Sequence, residues 1–221
     1  VKKVQKDFEA THVRPERLMK TLFTDEAYVK ANVDEARLMR RLFDLACNMQ
    51  SHDTDMQLYS LFTDEECYDL WSCNNLYWYL THACSPVTDG LMPYREADLL
   101  RNILDRADAA LKEGKNQATL RFGHESCLLP LVALLELNHY GESYPDVEKL
   151  SEQWRAYDIF PMASNVQFVF FHKKGSNDVL VKVLLNEKEA KLPVKTDVAP
   201  YYHWKDVESY YREKLDKYQH I

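Results

Sequence analysis

Residues 118–137 read ATLRFGHESCLLPLVALLEL, and this stretch decides the fold. The first five residues are a short β-like run, GHES follows as a tight turn, and residues 127–137 are strongly apolar and helical. Pro130 would fall in the first helical turn, where its missing N–H does no harm. A strand, a tight turn and a helix in this order are typical of an α/β sheet, in which ligands gather at the strand's carboxyl end and the helix N-terminus.

The turn carries three side chains that suit phosphate chemistry. Arg121 ends the predicted strand, and His124 and Glu125 precede the helix. An arginine offers a fixed fork of donors for phosphate oxygens, and a histidine and the helix N–H groups add further donors. A carboxylic acid beside them could protonate a leaving oxygen. The pattern favours binding and cleaving a phosphomonoester, although a purely structural His-Glu pair in a loop is equally compatible with it.

Helical periodicity dominates the chain before this stretch, and extended runs follow it. The apolar spacing predicts helices at residues 15–23, 34–49, 63–80 and 94–112, the third opened by a capping box of Thr63 and Glu66. Two extended runs at 166–171 and 179–185, joined by a turn sequence, predict an antiparallel hairpin. A last amphipathic helix would bury one face. Its members are Trp204, Val207, Tyr211, Leu215 and Tyr218.

Composition excludes several classes of protein. The 221 residues include 28 Lys+Arg and 35 Asp+Glu, so the formal net charge is −7. An acidic balance argues against non-specific nucleic-acid or membrane-surface binding. No apolar run approaches the roughly 18 residues of a membrane span. The five cysteines show no CxxC spacing, so we expect neither a zinc site nor a disulfide.

The motif residues also carry a family resemblance. Residues 120–137 resemble the second active-site motif of the histidine acid phosphatases, branch 2 of the histidine phosphatase superfamily. The likeness is nearest to the multiple inositol polyphosphate phosphatases and bacterial phytases. Three further stretches resemble that family in the expected order, and the resemblance spans roughly residues 60–190. They are LFTDEECYDLW at 61–71, PMASNVQF at 161–168 and VKVLLNEK at 181–188.

The resemblance implies an α/β, phosphoglycerate-mutase-like histidine phosphatase fold, here incomplete and helix-rich with a few strands. Residues 1–112 would be a helical insertion domain, and residues 113–221 the C-terminal part of the phosphatase domain. His124 would contact the transferred phosphate, and Glu125 would be the proton donor. Arg121 as a substrate ligand is a physical inference from its place in the run. Glu125 directly after the histidine departs from the His-Ala-Glu form of the inositol polyphosphate branch, because Ser126 stands at the position where that form has its glutamate.

The nucleophilic histidine of the family is missing from this sequence. It lies in an RHGxRxP-type motif, and no such string occurs in the 221 residues. His12, in the string THVRP, lacks the glycine and the preceding arginine and is expected to be a surface histidine near a helix start. We therefore expect a C-terminal portion of a longer enzyme, inactive alone, whose nucleophile lies in the N-terminal part of the same protein.

The resemblance further implies a small-molecule phosphomonoester substrate, such as an inositol polyphosphate, and no metal or organic cofactor. It also implies a periplasmic or secreted location. Two other interpretations stay open from the sequence. One is a catalytically silent, helix-rich binding module on the same scaffold, and the other is an unrelated helical scaffold with a hairpin.

Overall fold

The computed structural model describes residues 1–114 and 117–218. These residues form ten α-helices, four β-strands and several short 3-10 turns. The helices are α1 (Lys2–His12), α2 (Glu16–Leu22), α3 (Glu26–Asn32), α4 (Glu35–Asn48), α5 (Asp64–His82), α6 (Ala97–Glu113), α7 (Glu125–Leu134), α8 (Leu150–Gln153), α9 (Ala156–Ile159) and α10 (Trp204–Tyr218). The strands are β1 (Val166–His172), β2 (Val179–Leu185), β3 (Lys188–Glu189) and β4 (Tyr202–His203). The four helices predicted before residue 113 are confirmed as α2, α4, α5 and α6, whereas α1 and α3 were not predicted.

The chain forms two compact units, Val1–Tyr77 and Trp78–Ile221. The boundary between them lies within α5. The division predicted between residues 1–112 and 113–221 rests on a change in sequence character. It stays a prediction, because compactness alone does not define a domain.

The predicted capping box opens α5 in the first unit. The Glu66 N–H donates to Thr63 Oγ1 at 3.2 Å, and the Thr63 N–H donates to Glu66 Oε2 at 2.9 Å. The two bonds satisfy two of the backbone donors that a helix N-terminus leaves unpaired. Arg17 Nε donates to Glu66 Oε1 at 2.8 Å, and this contact lowers the pKa of Glu66 below its ordinary value. The capping box therefore also ties α2 to α5.

Helix α7 is the centre of the second unit. All six residues 129–134 are buried, and a helix that is apolar on every side is stable only when other elements surround it. The helix begins at Glu125, two residues before the predicted start, so Pro130 lies in the second turn instead of the first. The prediction for Pro130 was wrong. Its ring leaves one carbonyl near the helix start without the usual intrahelical partner.

The predicted hairpin is confirmed and forms the small sheet of the second unit. Strands β1 and β2 pair antiparallel from Val166 opposite Leu185 to His172 opposite Val179, and β3 and β4 each pair with β2. Alternate residues of β2 are buried, namely Val181, Val183 and Leu185. The buried face of β2 therefore follows the period of two expected for a strand with one face on the core.

Helix α10 closes the second unit through the face that the sequence predicts. Trp204, Val207, Tyr211 and Leu215 are buried, and the Tyr218 ring stacks on Tyr94 at 4.2 Å. The helix is also held by polar contacts to α6. Trp204 Nε1 donates to Asp108 Oδ1 at 2.8 Å, and an Arg212 guanidinium nitrogen donates to Asp108 Oδ2 at 2.9 Å.

The strand predicted at residues 118–122 is not formed. Residues 117–124 make no backbone ladder with any other described residue, and Leu120 and Phe122 are 74% and 92% exposed. A β-strand is defined by hydrogen bonds to a neighbouring strand, and the described sheet lies elsewhere, at β1 to β4. The apolar side chains of this run are therefore open to solvent.

His203 in β4 makes ionic contacts with two aspartates. One is Asp178 in the β1–β2 turn, and the other is Asp197 in the loop that precedes β4. His203 Nδ1 lies 3.0 Å from the Asp178 carboxylate, and His203 Nε2 lies 3.0 Å from Asp197 Oδ1. Only the doubly protonated imidazolium can donate from both nitrogens. The hydrogen bonds from Asp178 and Asp197 raise the pKa of His203 above its ordinary value, and the bond to His203 lowers the pKa of Asp197.

We expect this contact to weaken as the pH rises. Because the pKa of His203 is raised in the folded state, its contribution to stability is complete below the unfolded pKa of about 6.5 and is lost as the pH passes the folded pKa. Imidazole NMR titration should give a pKa for His203 above that of His203 in the Asp178→Asn/Asp197→Asn double variant. Equal pKa values in the two proteins would contradict the contact.

Three further properties concern the described residues as a whole. None of their helices is long and apolar enough to cross a membrane. No group of three or more His, Cys, Asp or Glu side chains in residues 1–114 and 117–218 is arranged to hold a metal ion. The five cysteines are free thiols.

Candidate active site

The N-terminus of α7 presents unpaired backbone donors. His124 is the N-cap residue, with φ −100° and ψ 163°, and its side chain makes no capping hydrogen bond. Its carbonyl accepts from the N–H groups of Cys127 at 3.0 Å and Leu128 at 3.1 Å. The N–H groups of Glu125 and Ser126 donate to no atom of the described chain. Free N–H groups and the positive end of the helix dipole together favour an anion at this position.

The side chains of His124 and Glu125, next to these donors, are accessible to solvent. His124 and Glu125 are exposed, and neither makes a side-chain hydrogen bond within the part of the chain that the structure describes. The structure therefore brings the predicted phosphate contact and the predicted proton donor together, in consecutive positions at one helix end. A ligand that approaches the helix N-terminus can contact both.

Arg121 lies three residues before His124, in the unpaired segment and not at a strand end. Its guanidinium Nη2 donates to Asn102 Oδ1 on α6 at 2.8 Å. This bond uses one of the five N–H donors of the guanidinium, so the others stay available to phosphate oxygens. The Arg121 side chain is exposed, and its hydrogen bond to Asn102 holds it against α6.

The electrostatic surroundings of Glu125 include His82, which the sequence did not assign to the site. His82, at the end of α5, is only 7% exposed, and its ring lies 4.8 Å from Trp78. Burial lowers the pKa of His82, the nearby Arg95 lowers it further, and the carboxylate of Glu125 raises it. The 3-10 turn Met92–Glu96, which carries Arg95, packs against α7. His82 therefore lies within electrostatic range of both Glu125 and Arg95.

Sequence reasoning could not have found this neighbour. His82 is far from Glu125 along the chain, so no spacing rule links the two residues. His12 lies four residues before the start of α2, as predicted, and it is also the last residue of α1, which was not predicted. Its ring stacks on Phe8 at 3.8 Å, in the first unit, which gives it a structural contact.

Known proteins resemble this chain along most of its length. The sequence profile of the histidine phosphatase superfamily (branch 2) matches residues 1–186. The human multiple inositol polyphosphate phosphatase 1 is 28% identical over 134 residues, which cover 55% of this chain and 27% of the human protein.

Solved structures of a bacterial relative share the fold. The multiple inositol polyphosphate phosphatase of Bifidobacterium longum, in complex with phosphate, superimposes with a TM-score of 0.70 at 21% identity, covering 82% of this chain and 40% of that one. Its complex with inositol hexasulfate gives a TM-score of 0.65 at 21% identity, with 80% and 38% covered. This likeness confirms the predicted α/β histidine phosphatase fold, here helix-rich with a small antiparallel sheet.

The chain thus spans 27% of the length of the human relative and 40% of the length of the bacterial one. The profile match covers residues 1–186, well over half of the chain, and the structural likeness agrees with this family. The chain belongs to the histidine phosphatase superfamily, branch 2.

Proposed function

We propose that this chain is part of an acid phosphatase that hydrolyses phosphomonoesters, with inositol polyphosphates as the substrate class. The observation that carries the proposal is the open N-terminus of α7, where His124 and Glu125 stand beside two unpaired N–H groups. The names of the human and bacterial relatives support the substrate class. Membership of the superfamily supports phosphatase chemistry.

The site residues would have separate roles in phosphate binding and in proton transfer. The N–H groups of Glu125 and Ser126, the His124 ring and the Arg121 guanidinium would bind the phosphate oxygens. A nucleophilic histidine would attack phosphorus and form a phosphohistidine, while the bond from phosphorus to the ester oxygen breaks. Glu125 would give its proton to that oxygen, which leaves as an alcohol. Water would then cleave the phosphohistidine and release inorganic phosphate.

We infer that the nucleophile comes from an N-terminal part of the same protein. Residues 118–122 support this inference, because they combine two highly exposed apolar side chains, Leu120 and Phe122, with backbone groups that no described residue pairs. A strand from the N-terminal part could pair with this run and cover both side chains. Such a strand would end next to the helix N-terminus and could bring a histidine to the bound phosphate. A periplasmic or secreted location, which rests on the family resemblance, completes the proposal.

The 221-residue chain is expected to be inactive when it is expressed alone. It should release no p-nitrophenol from p-nitrophenyl phosphate, because its sequence contains no RHGxRxP motif to supply the nucleophilic histidine. Expression together with the coding sequence that precedes it should produce activity. It should also produce a phosphohistidine, which is labile in acid and stable in alkali, so an alkaline quench followed by mass spectrometric mapping at neutral or alkaline pH should detect it. Turnover by the isolated chain that survives both His124→Ala and Glu125→Gln would refute the assigned site.

One outcome would favour the catalytically silent binding module instead. The extended protein would then bind inositol hexakisphosphate without turnover, and no phosphohistidine would form. The absence of the nucleophile motif from this sequence is the observation that keeps this second candidate open.

A further inference from the structure

A cavity lies in the second unit, at the opposite end of α7 from the candidate active site. Its volume is about 390 Å³, within the range of small-molecule sites in proteins. Its polar and aromatic walls are formed by the loop after α7, by α9 and by β3. The lining includes Asn138, Tyr140, Tyr157, Asp158, Lys188 and Glu189.

The cavity is separate from the phosphate site. Helix α7 runs from Glu125 to Leu134, and at 1.5 Å per residue its ends are roughly 15 Å apart. Asn138 and Tyr140 follow the C-terminal end, whereas His124 precedes the N-terminal one. A ligand in the cavity would therefore not touch the groups proposed to bind phosphate.

Tyr140 points to a ligand. Its side chain is only 7% exposed, and its hydroxyl hydrogen-bonds to no atom among the described residues. Burial raises the pKa of Tyr140, and the neighbouring Asp158 carboxylate raises it further, so the hydroxyl keeps its proton. The hydroxyl oxygen is not among the fully buried polar atoms that lack a partner, so it reaches solvent beside the cavity that Tyr140 lines, where it is available to a ligand.

Other polar groups around Tyr140 are also available. The Asn138 Oδ1 accepts from the Lys191 N–H at 2.9 Å, which fixes the amide plane and leaves Nδ2 without a partner in the described chain. Lys188 forms no ion pair within the described residues, and Asp158 lies 3.9 Å from Arg155, at the limit of an ion pair. The cavity thus offers both hydrogen-bond donors and acceptors.

The rim of the cavity is fixed before any ligand arrives. Asn186 Nδ2 donates to the Ile159 carbonyl at 3.0 Å, and Asn186 Oδ1 accepts from the Asn165 N–H at 3.0 Å. These bonds hold Asn186 in the left-handed region, with φ 51°, and join the end of β2 to α9. A fixed rim lowers the entropy cost of binding.

The charges around the cavity nearly balance, which suits a neutral ligand. The Asp158 and Glu189 carboxylates lie in the lining with the Lys188 ammonium, and Glu189 is already paired with Lys182 Nζ at 3.0 Å. Carboxylates, amides and a tyrosine hydroxyl are suitable partners for vicinal hydroxyl groups, and the Tyr157 ring, 52% exposed, offers an apolar face. We infer that this cavity binds a neutral polyhydroxy compound of monosaccharide size.

The inference can be tested by NMR titration of the full chain with methyl α-D-glucopyranoside. Saturable shifts are expected for amides around Tyr140, Asn186 and Lys188. Tyr140→Phe removes one hydroxyl and should raise Kd about tenfold, while the exposed and distant Tyr28→Phe should leave it unchanged. Asp158→Asn, which keeps the shape of the side chain, should also raise Kd.

Two results would overturn the inference. One is the absence of saturable shifts up to the solubility of the glycoside in a protein that thermal unfolding shows to be folded. The other is a shift pattern unchanged by both Tyr140→Phe and Asp158→Asn. Inositol hexakisphosphate serves as the anionic control, and its displacement of the glycoside from the cavity would contradict the preference for a neutral ligand.

Discussion

Glu125→Gln in the catalytically complete enzyme is expected to slow hydrolysis of an alkyl phosphate about 10²–10⁴-fold. Glutamine keeps the size of the side chain but has no proton to give to the departing oxygen. An alkoxide is a poor leaving group, so the loss of the proton should appear in kcat. Phosphate binding should change little, because the backbone N–H groups and His124 that would bind the phosphate stay in place.

The leaving group provides the decisive comparison. A p-nitrophenolate departs without a proton, so Glu125→Gln should affect p-nitrophenyl phosphate far less than an inositol phosphate. Glu152→Gln, an exposed carboxylate on α8, is the matched control and should leave both rates unchanged. Equal losses on the two substrates would show that Glu125 acts on phosphate binding or on folding and not as the proton donor.

The elements that the sequence predicted correctly are those whose signal is local. The Thr63–Glu66 capping box predicts the start of α5. The alternation of Val181, Val183 and Leu185 predicts β2 and its buried face. The buried face of α10 likewise follows from a helical period. In each case residues a few positions apart carry the information, so a pattern along the chain suffices.

The strand error and the missed neighbour of Glu125 both involve partners distant in sequence. The run 118–122 has strand character, but a strand also needs a neighbour, and no described residue provides one. His124 and Glu125 could be selected as site residues because they are consecutive. His82 comes within electrostatic range of Glu125 only through the folding of the chain between them. The unpartnered hydroxyl of Tyr140 depends on where the chain folds around it, which no motif encodes.

The largest stability effect is expected at Tyr211, which joins α10 to the end of α7. Its side chain is fully buried, and its hydroxyl donates to the Leu135 carbonyl at 2.8 Å. Burial raises the pKa of Tyr211 well above its ordinary value, so the donor proton is retained. Tyr211→Ala leaves a ring-sized cavity and a buried carbonyl without its donor, and should lower the free energy of unfolding by about 3–5 kcal/mol.

Tyr211→Phe separates the two contributions. It retains the ring and removes only the hydroxyl, so a loss of about 1–2 kcal/mol is expected, and the remainder of the alanine effect measures packing. Because the chain has two compact units, hydrogen exchange of the buried α7 amides is the appropriate readout, since it reports on the second unit alone. Tyr28→Ala, on the exposed side of α3 in the first unit, should leave these exchange rates unchanged. Suppose that Tyr211→Ala accelerated the exchange of the α7 amides no more than Tyr28→Ala does. That result would contradict the packing of α10 on α7 and the hydrogen bond from Tyr211 to Leu135.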